Sequence, residues 1–198
     1  MPFIGLTGNL GAGKTTVLRL FKNSGAYIID ADRLVHQILR KPPMIKKLVT
    51  ILGKNILIKR ALKISINKKL MADIIFDDPQ KRKSVEKVIH PEVIKTAKDI
   101  KKKILSKKPG AIIVFEVPLL FEAGYEKIFD KIIVVYCSRV KAIERLKKLG
   151  FSREQALKRM RAQMPISKKK VLADFLINNS FDMSNTKLQV KEIFKKFS

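Results

Sequence analysis

Gly8-Asn9-Leu10-Gly11-Ala12-Gly13-Lys14-Thr15 has the spacing G-x-x-x-x-G-K-[ST], with a short apolar run before it and a helical pattern after it. Glycines in such a loop let the backbone curl so that successive N–H groups converge on an anion, and the following helix adds the positive end of its dipole. Lys14 is then placed to reach the β- and γ-phosphates of a nucleoside triphosphate, and the Thr15 hydroxyl to ligate Mg²⁺. The expected phosphate-binding set is Gly8, Gly11, Ala12, Gly13, Lys14, Thr15 and Thr16. A glycine-rich turn that merely joins a strand to a helix is the plain alternative, and the complete pattern in this context argues against it.

Other residue types suited to phosphoryl chemistry follow. Asp30-Ala31-Asp32 comes directly after a second apolar run, where the carboxyl end of a parallel strand lines the ligand crevice. Transfer to a hydroxyl needs a group that orients it and takes its proton, which makes Asp32 a candidate, with Asp30 a weaker one suited to capping the next helix. His90-Pro91-Glu92 falls at an expected kink in a long helical stretch, and a lone histidine there reads first as a hydrogen-bonded structural residue. Glu116-Val117-Pro118-Leu119-Leu120-Phe121-Glu122 carries an apolar strand into a proline and an exposed-looking Leu-Leu-Phe group, either ligand packing or a tether. Arg139, Arg145, Arg153, Arg159 and Arg161 lie on helical patterns from which guanidinium groups could close on a triphosphate, although a solvated basic helix face explains most of them individually.

The elements that must position these groups are legible as five apolar runs: Phe3 to Thr7, Tyr27 to Ile29, Ala111 to Val117, Lys131 to Tyr136 and Phe175 to Ile177. Helical patterns separate them, the signature of an α/β fold with a parallel sheet. The stretch from about 31 to 108 is too long for one crossover and holds helical patterns near 44–52, 66–76, 79–89 and 92–106. The expected arrangement is one domain: a core over about 1–40, 108–138 and 171–198, a helical acceptor-binding insertion over about 41–107, and a lid over about 139–170.

At 198 residues the chain suffices for a single domain with its own core. One cysteine, Cys137, precludes an internal disulfide and a zinc cluster of its own, and its place after an apolar run suggests a buried thiol. No run approaches the ~18–20 apolar residues of a membrane span, and the first residues do not read as a secretion signal, so a cytoplasmic protein with no membrane partner is expected. The formal net charge of +26 would draw polyanions nonspecifically, but no aromatic-interleaved or zinc-finger reader accompanies it, and no specific nucleic-acid partner is expected. Oligomeric state is not readable.

These elements, taken in order, resemble the dephospho-coenzyme A kinase family over nearly the whole chain. The resemblance rests on Gly5-Leu6-Thr7-Gly8 with its loop, Ile29-Asp30-Ala31-Asp32, Ile89-His90-Pro91, Pro118-Leu119-Leu120-Phe121-Glu122, Arg145, Gln163, and Ala173-Asp174-Phe175-Leu176-Ile177-Asn178-Asn179. It implies a P-loop NTPase-like three-layer α/β fold, with a five-stranded parallel sheet flanked by helices. It also implies transfer of the ATP γ-phosphate, with Mg²⁺, to the ribose 3′-hydroxyl of dephospho-coenzyme A. By the resemblance Asp32 is the catalytic carboxylate, Lys14 bridges the β- and γ-phosphates, Thr15 meets Mg²⁺ and Arg145 is the lid arginine that stabilises charge on the transferring group. Asn179 lies near the adenine, and His90 with Pro118, Leu119, Leu120, Phe121 and Glu122 shapes the acceptor pocket. The chain departs from the family pattern at Asn9, Ala12 and Lys68, and residues 57–63 lack the usual Asp-Gly turn. A nucleoside or nucleoside monophosphate kinase shares the loop, insertion and lid, and a basic nucleic-acid-binding ATPase is the third reading.

Overall fold

An apolar strand can be left without a polar face only where both sides are covered, and the first strand, β1 (Phe3–Thr7), is buried at every position. It lies at the centre of a five-stranded sheet. The computed structural model describes residues 2–60 and 63–197, with backbone alone for 59, 60 and 63. In chain order its elements are α1 (Lys14–Asn23), β2 (Tyr27–Asp30), α2 (Ala31–Ile38), α3 (Pro42–Leu52), β3 (Leu57–Arg60), β4 (Lys63–Ile66), α4 (Lys68–Asp77) and α5 (Pro79–Lys107). There follow β5 (Ile113–Glu116), β6 (Lys131–Tyr136), α6 (Arg139–Lys148), α7 (Arg153–Arg161), α8 (Ile166–Val171), β7 (Phe175–Asn178) and α9 (Met183–Lys195).

The chain forms two compact units, Met1–Asp30 with Lys101–Ser198, and Ala31–Ile100. In the first, the strands run in the order β2-β5-β1-β6-β7 with every pairing parallel, for example Ile4 opposite Val114 and Leu6 opposite Ile133. Alternate strand residues Ile4, Leu6, Val114, Ile133, Val135 and Ile177 share one cluster with Val17, Leu18 and Phe21 of α1 and with Val190 and Ile193 of α9. Strand residues two apart share a face, and helix residues three or four apart share a stripe, so these patterns meet. On the other face Phe3, Phe115 and Phe129 pack ring to ring, with centroids 5.1–6.1 Å apart.

That second face explains a departure from the sequence reading. Leu120 and Phe121, expected to be exposed, are 0% and 5% exposed, whereas Leu119 is 40% exposed. Gly5 makes the room: a Cβ there would lie 2.7 Å from Leu120 Cδ1 and 2.9 Å from the Phe129 ring. Cys137 is half-buried rather than buried, with Sγ 3.6 Å from the Gly11 carbonyl.

The second unit contains α2, α3, α4, most of α5 and an antiparallel pair, β3 with β4, in which Leu57 faces Ile66 and Arg60 faces Lys63. This pairing is not apparent in the sequence, which offers no Asn-Gly or Asp-Gly between the strands. Ala61 and Leu62, within the stretch noted for lacking that turn, lie outside the described residues. The helical patterns expected near 79–89 and 92–106 belong to one helix: α5 runs 29 residues through Pro91. A proline removes one ladder hydrogen bond, but Val85, Ile89, Val93 and Ala97 continue a buried stripe at four-residue spacing on either side of it.

Candidate functional site

The loop from β1 to α1 is shaped by two glycines at which any side chain would be strained. Gly8 has φ +151°, and a Cβ on it would fall on the Val135 carbonyl oxygen, so the loop leaves β1 pressed against β6. Gly13, at φ +87°, caps α1 with no side-chain hydrogen bond, and a Cβ there would fall on Asn179 Nδ2. Lys14 turns back over the loop, Nζ donating to the carbonyls of Gly8 at 3.0 Å and Asn9 at 3.4 Å. Thr15 is exposed and Thr16 half-buried in the first turn of α1.

Two side chains hold the loop from behind. Arg145, on α6, donates through Nη1 to the carbonyls of Gly11 (3.3 Å) and Ala12 (3.1 Å) and through Nη2 to that of Asn179 (2.9 Å). Asn179, just past β7 and 4% exposed, donates to Ala12 O and accepts from Thr186 Oγ1 of α9. Gly13, Thr16, Arg145, Lys148, Leu149, Asn179 and Met183 line a cleft of about 380 Å³. Leu149 and Met183 are 73% and 51% exposed, which gives this cleft an apolar margin beside its cations. An apolar margin with a few polar groups is the usual lining of a small-molecule cleft.

Burial pushes the Cys137 thiol up from its ordinary value of 9.0, against the opposing pull of Arg145 and Lys141. The group is therefore a neutral thiol at pH 7 and a poor nucleophile.

The front half of the loop has its own supports. Thr7 Oγ1 donates to Pro118 O at 3.1 Å, which ties the end of β1 to the segment after β5. Leu10 N–H donates to Gln163 Oε1 at 2.8 Å, and Asn9 Nδ2 donates to Met164 O at 3.2 Å. Met164 N–H in turn donates to Glu122 Oε1 at 2.9 Å, the same oxygen that lies 2.8 Å from Lys169 Nζ.

Of the residues expected from sequence, Gly8 to Thr16, Arg145 and Asn179 thus come together directly, and Pro118 and Glu122 join them through Thr7 and Met164. Leu120 and Phe121 are buried. Asp32 and His90 belong to the second unit: Asp32 is exposed in the first turn of α2, and His90 is half-buried within α5. Among the other expected arginines, Arg159 lies over the Phe151 ring, 4.8 Å from its centroid. Sequence reading missed Thr186, Lys148, Leu149, Met183, Met164 and Lys169, and quoted Gln163 without a role. Gln163, Met164 and Lys169 have no local signature, because each matters through a partner far off in the chain.

The dephospho-CoA kinase family matches residues 2–185. A dephospho-CoA kinase from Aquifex aeolicus is 38% identical over 199 residues, spanning 100% of this chain and 98% of that protein. One from Carboxydothermus hydrogenoformans is 39% identical over 201 residues, spanning 100% and 95%. A solved dephospho-CoA kinase from Campylobacter jejuni aligns with a TM-score of 0.69 at 27% identity, covering 98% of this chain and 96% of that one. With its loop, sheet order and full-length match, the chain belongs to the dephospho-CoA kinase family.

Proposed function

We propose that this protein transfers the γ-phosphoryl group of ATP to the ribose 3′-hydroxyl of dephospho-coenzyme A and so completes coenzyme A in the cytoplasm. Full-length membership of a kinase family implies ATP as donor. The observation that carries the reading is the phosphate loop itself, with Gly13 packed against Asn179 and its carbonyls held by Arg145, open beside a cleft with apolar margins.

In this reading the 3′-oxygen attacks the γ-phosphorus while the bond to the β,γ-bridging oxygen breaks and ADP leaves. Asp32, two residues beyond the end of β2, orients that hydroxyl and takes its proton. Lys14 and the N-terminus of α1 offset charge on the β- and γ-phosphates. Arg145 fixes a positive charge beside the loop and keeps its shape while charge builds on the transferring group. Asn179 marks the adenine end of the cleft. The Thr15 hydroxyl, exposed at the start of α1, is a hard oxygen donor that fits Mg²⁺, which when bound would neutralise phosphate charge. We assign His90 and residues 118–122 to the acceptor pocket, 41–107 to the acceptor-binding insertion, 139–170 to the lid, and 1–40, 108–138 and 171–198 to the core.

The deciding experiment offers labelled ATP with dephospho-coenzyme A, nucleosides, nucleoside monophosphates, or RNA. Label is expected on the 3′-oxygen of dephospho-coenzyme A. No such product, alongside phosphorylation of a nucleoside or nucleotide or turnover driven by RNA, would overturn the reading.

A further inference from the structure

We propose that Lys169 is a positioning residue for the phosphate loop, acting through Glu122, Met164 and Gln163. The inference rests on the assignment of residues 8–16 to the nucleotide phosphates. Lys169 is 0% exposed, and its ammonium meets Glu122 Oε1 at 2.8 Å as an ion pair rather than as a well-angled hydrogen bond. Only the Lys169 end of the pair is buried, the Glu122 side chain being 21% exposed, and a buried charge can often give way to an apolar residue of similar volume without loss of stability. What the charge does is hold a carboxylate oxygen in place, and that same oxygen accepts the Met164 N–H.

From Met164 the chain of contacts passes straight into the loop. Its carbonyl accepts from Asn9 Nδ2, while the neighbouring Gln163 accepts the Leu10 N–H. The Gln163 contact commits the Leu10 N–H outward, and this fixes which of the remaining loop N–H groups turn to an anion. Asn9 Oδ1 is buried without a hydrogen-bond partner, so the Met164 contact is the one that orients the Asn9 amide. Residues 163 and 164 are thus clamped between the Lys169–Glu122 pair and the front of the loop. If the pair is released, Asn9 and Leu10 lose a fixed support.

The test is equilibrium binding of ATP, without acceptor, to the full chain carrying Lys169→Met, Gln163→Ala or both, with thermal melting followed in parallel. Each single change is expected to raise the ATP dissociation constant about tenfold, the scale of one lost positioning contact. The double variant should bind at most about twofold more weakly than the weaker single, because both release the same segment. Where Lys169→Met alone does not fold, Lys169→Met/Glu122→Gln replaces it, leaving no buried charge unpaired. Wild-type affinity in either folded single variant, or losses that multiply in the double, overturns the inference. Lys14→Ala distinguishes the two layers: weakened binding there, with Lys169→Met and Gln163→Ala unchanged, sinks the positioning role and leaves the proposed function standing. Unchanged binding in all three overturns both.

Discussion

Asn179 Nδ2 donates to the carbonyl of Ala12 across 2.8 Å and 167 positions of sequence. With Thr186 Oγ1 donating to its Oδ1 at 3.0 Å, both ends of a buried amide are used, and the end of β7 is fastened to the phosphate loop. Asn179→Ala takes one of two partners from the Ala12 carbonyl, which Arg145 also reaches, and one from the Thr186 hydroxyl, which also lies 3.1 Å from Asp182 O. A loss of about 1–3 kcal/mol in urea denaturation is expected, together with weaker ATP binding. A variant as stable as the parent would mean that Arg145, which reaches the same carbonyl, suffices alone.

Gly13→Ala tests the cradle from the other side. Its φ of +87° is strained for any residue with a Cβ, and that Cβ would displace Asn179 Nδ2 and crowd Arg145 Nη1, 3.1 Å away. The variant should lose about 1–3 kcal/mol and most of its ATP affinity. The two losses in Gly13→Ala/Asn179→Ala should fall short of their sum, because both substitutions break the same contact. Calorimetric titration with ATP and urea melts of the four proteins would measure this.

How far the sequence reaches is visible in these same residues. β1, β5 and β6 are nearly unbroken apolar runs because both faces of a parallel sheet are covered, so the strands and the helices between them could be read directly, though not their order in the sheet. Gly8, Gly13 and Lys14 stand out because a tight phosphate loop allows few residue types. Pro91 divides one helix into two patterns in the sequence because its cost is local, whereas the stripe from Val85 to Ala97 that carries α5 past it is not. Leu120 looked exposed because the space it fills is made by Gly5, over a hundred residues earlier. Thr186 and Lys169 carry no motif at all: their meaning lies in Asn179 and Glu122, partners that only folding supplies.

Asp32→Asn keeps the shape of the side chain and removes its basicity. If Asp32 takes the proton of the acceptor hydroxyl, turnover should fall about 10²–10⁴-fold with little change in ATP affinity. Steady-state rates with saturating ATP and dephospho-coenzyme A, beside ATP titrations, separate the two quantities. Near-normal turnover would hand that role to another group.

Asp174 offers a prediction in pH. Its Oδ2 accepts the Ile132 N–H at 2.8 Å, its Oδ1 pairs with Lys131 Nζ at 2.8 Å, and its own N–H returns to Ile132 O at 3.0 Å, so it fastens β7 to β6. Burial works to raise the carboxyl, but the Lys131 ammonium and the Ile132 N–H outweigh it and hold the group below its ordinary value of 3.8. A depressed folded-state value means that the stabilisation is fully present above the unfolded value and is lost as pH falls through the folded one. The site is partly open to solvent, so Asp174→Asn should lower stability at pH 7 by no more than about 1 kcal/mol. The gap should narrow as urea denaturation is repeated at successively lower pH, below the ordinary carboxylate value of 3.8. An equal gap at both ends of that range would assign the effect to lost geometry rather than to charge.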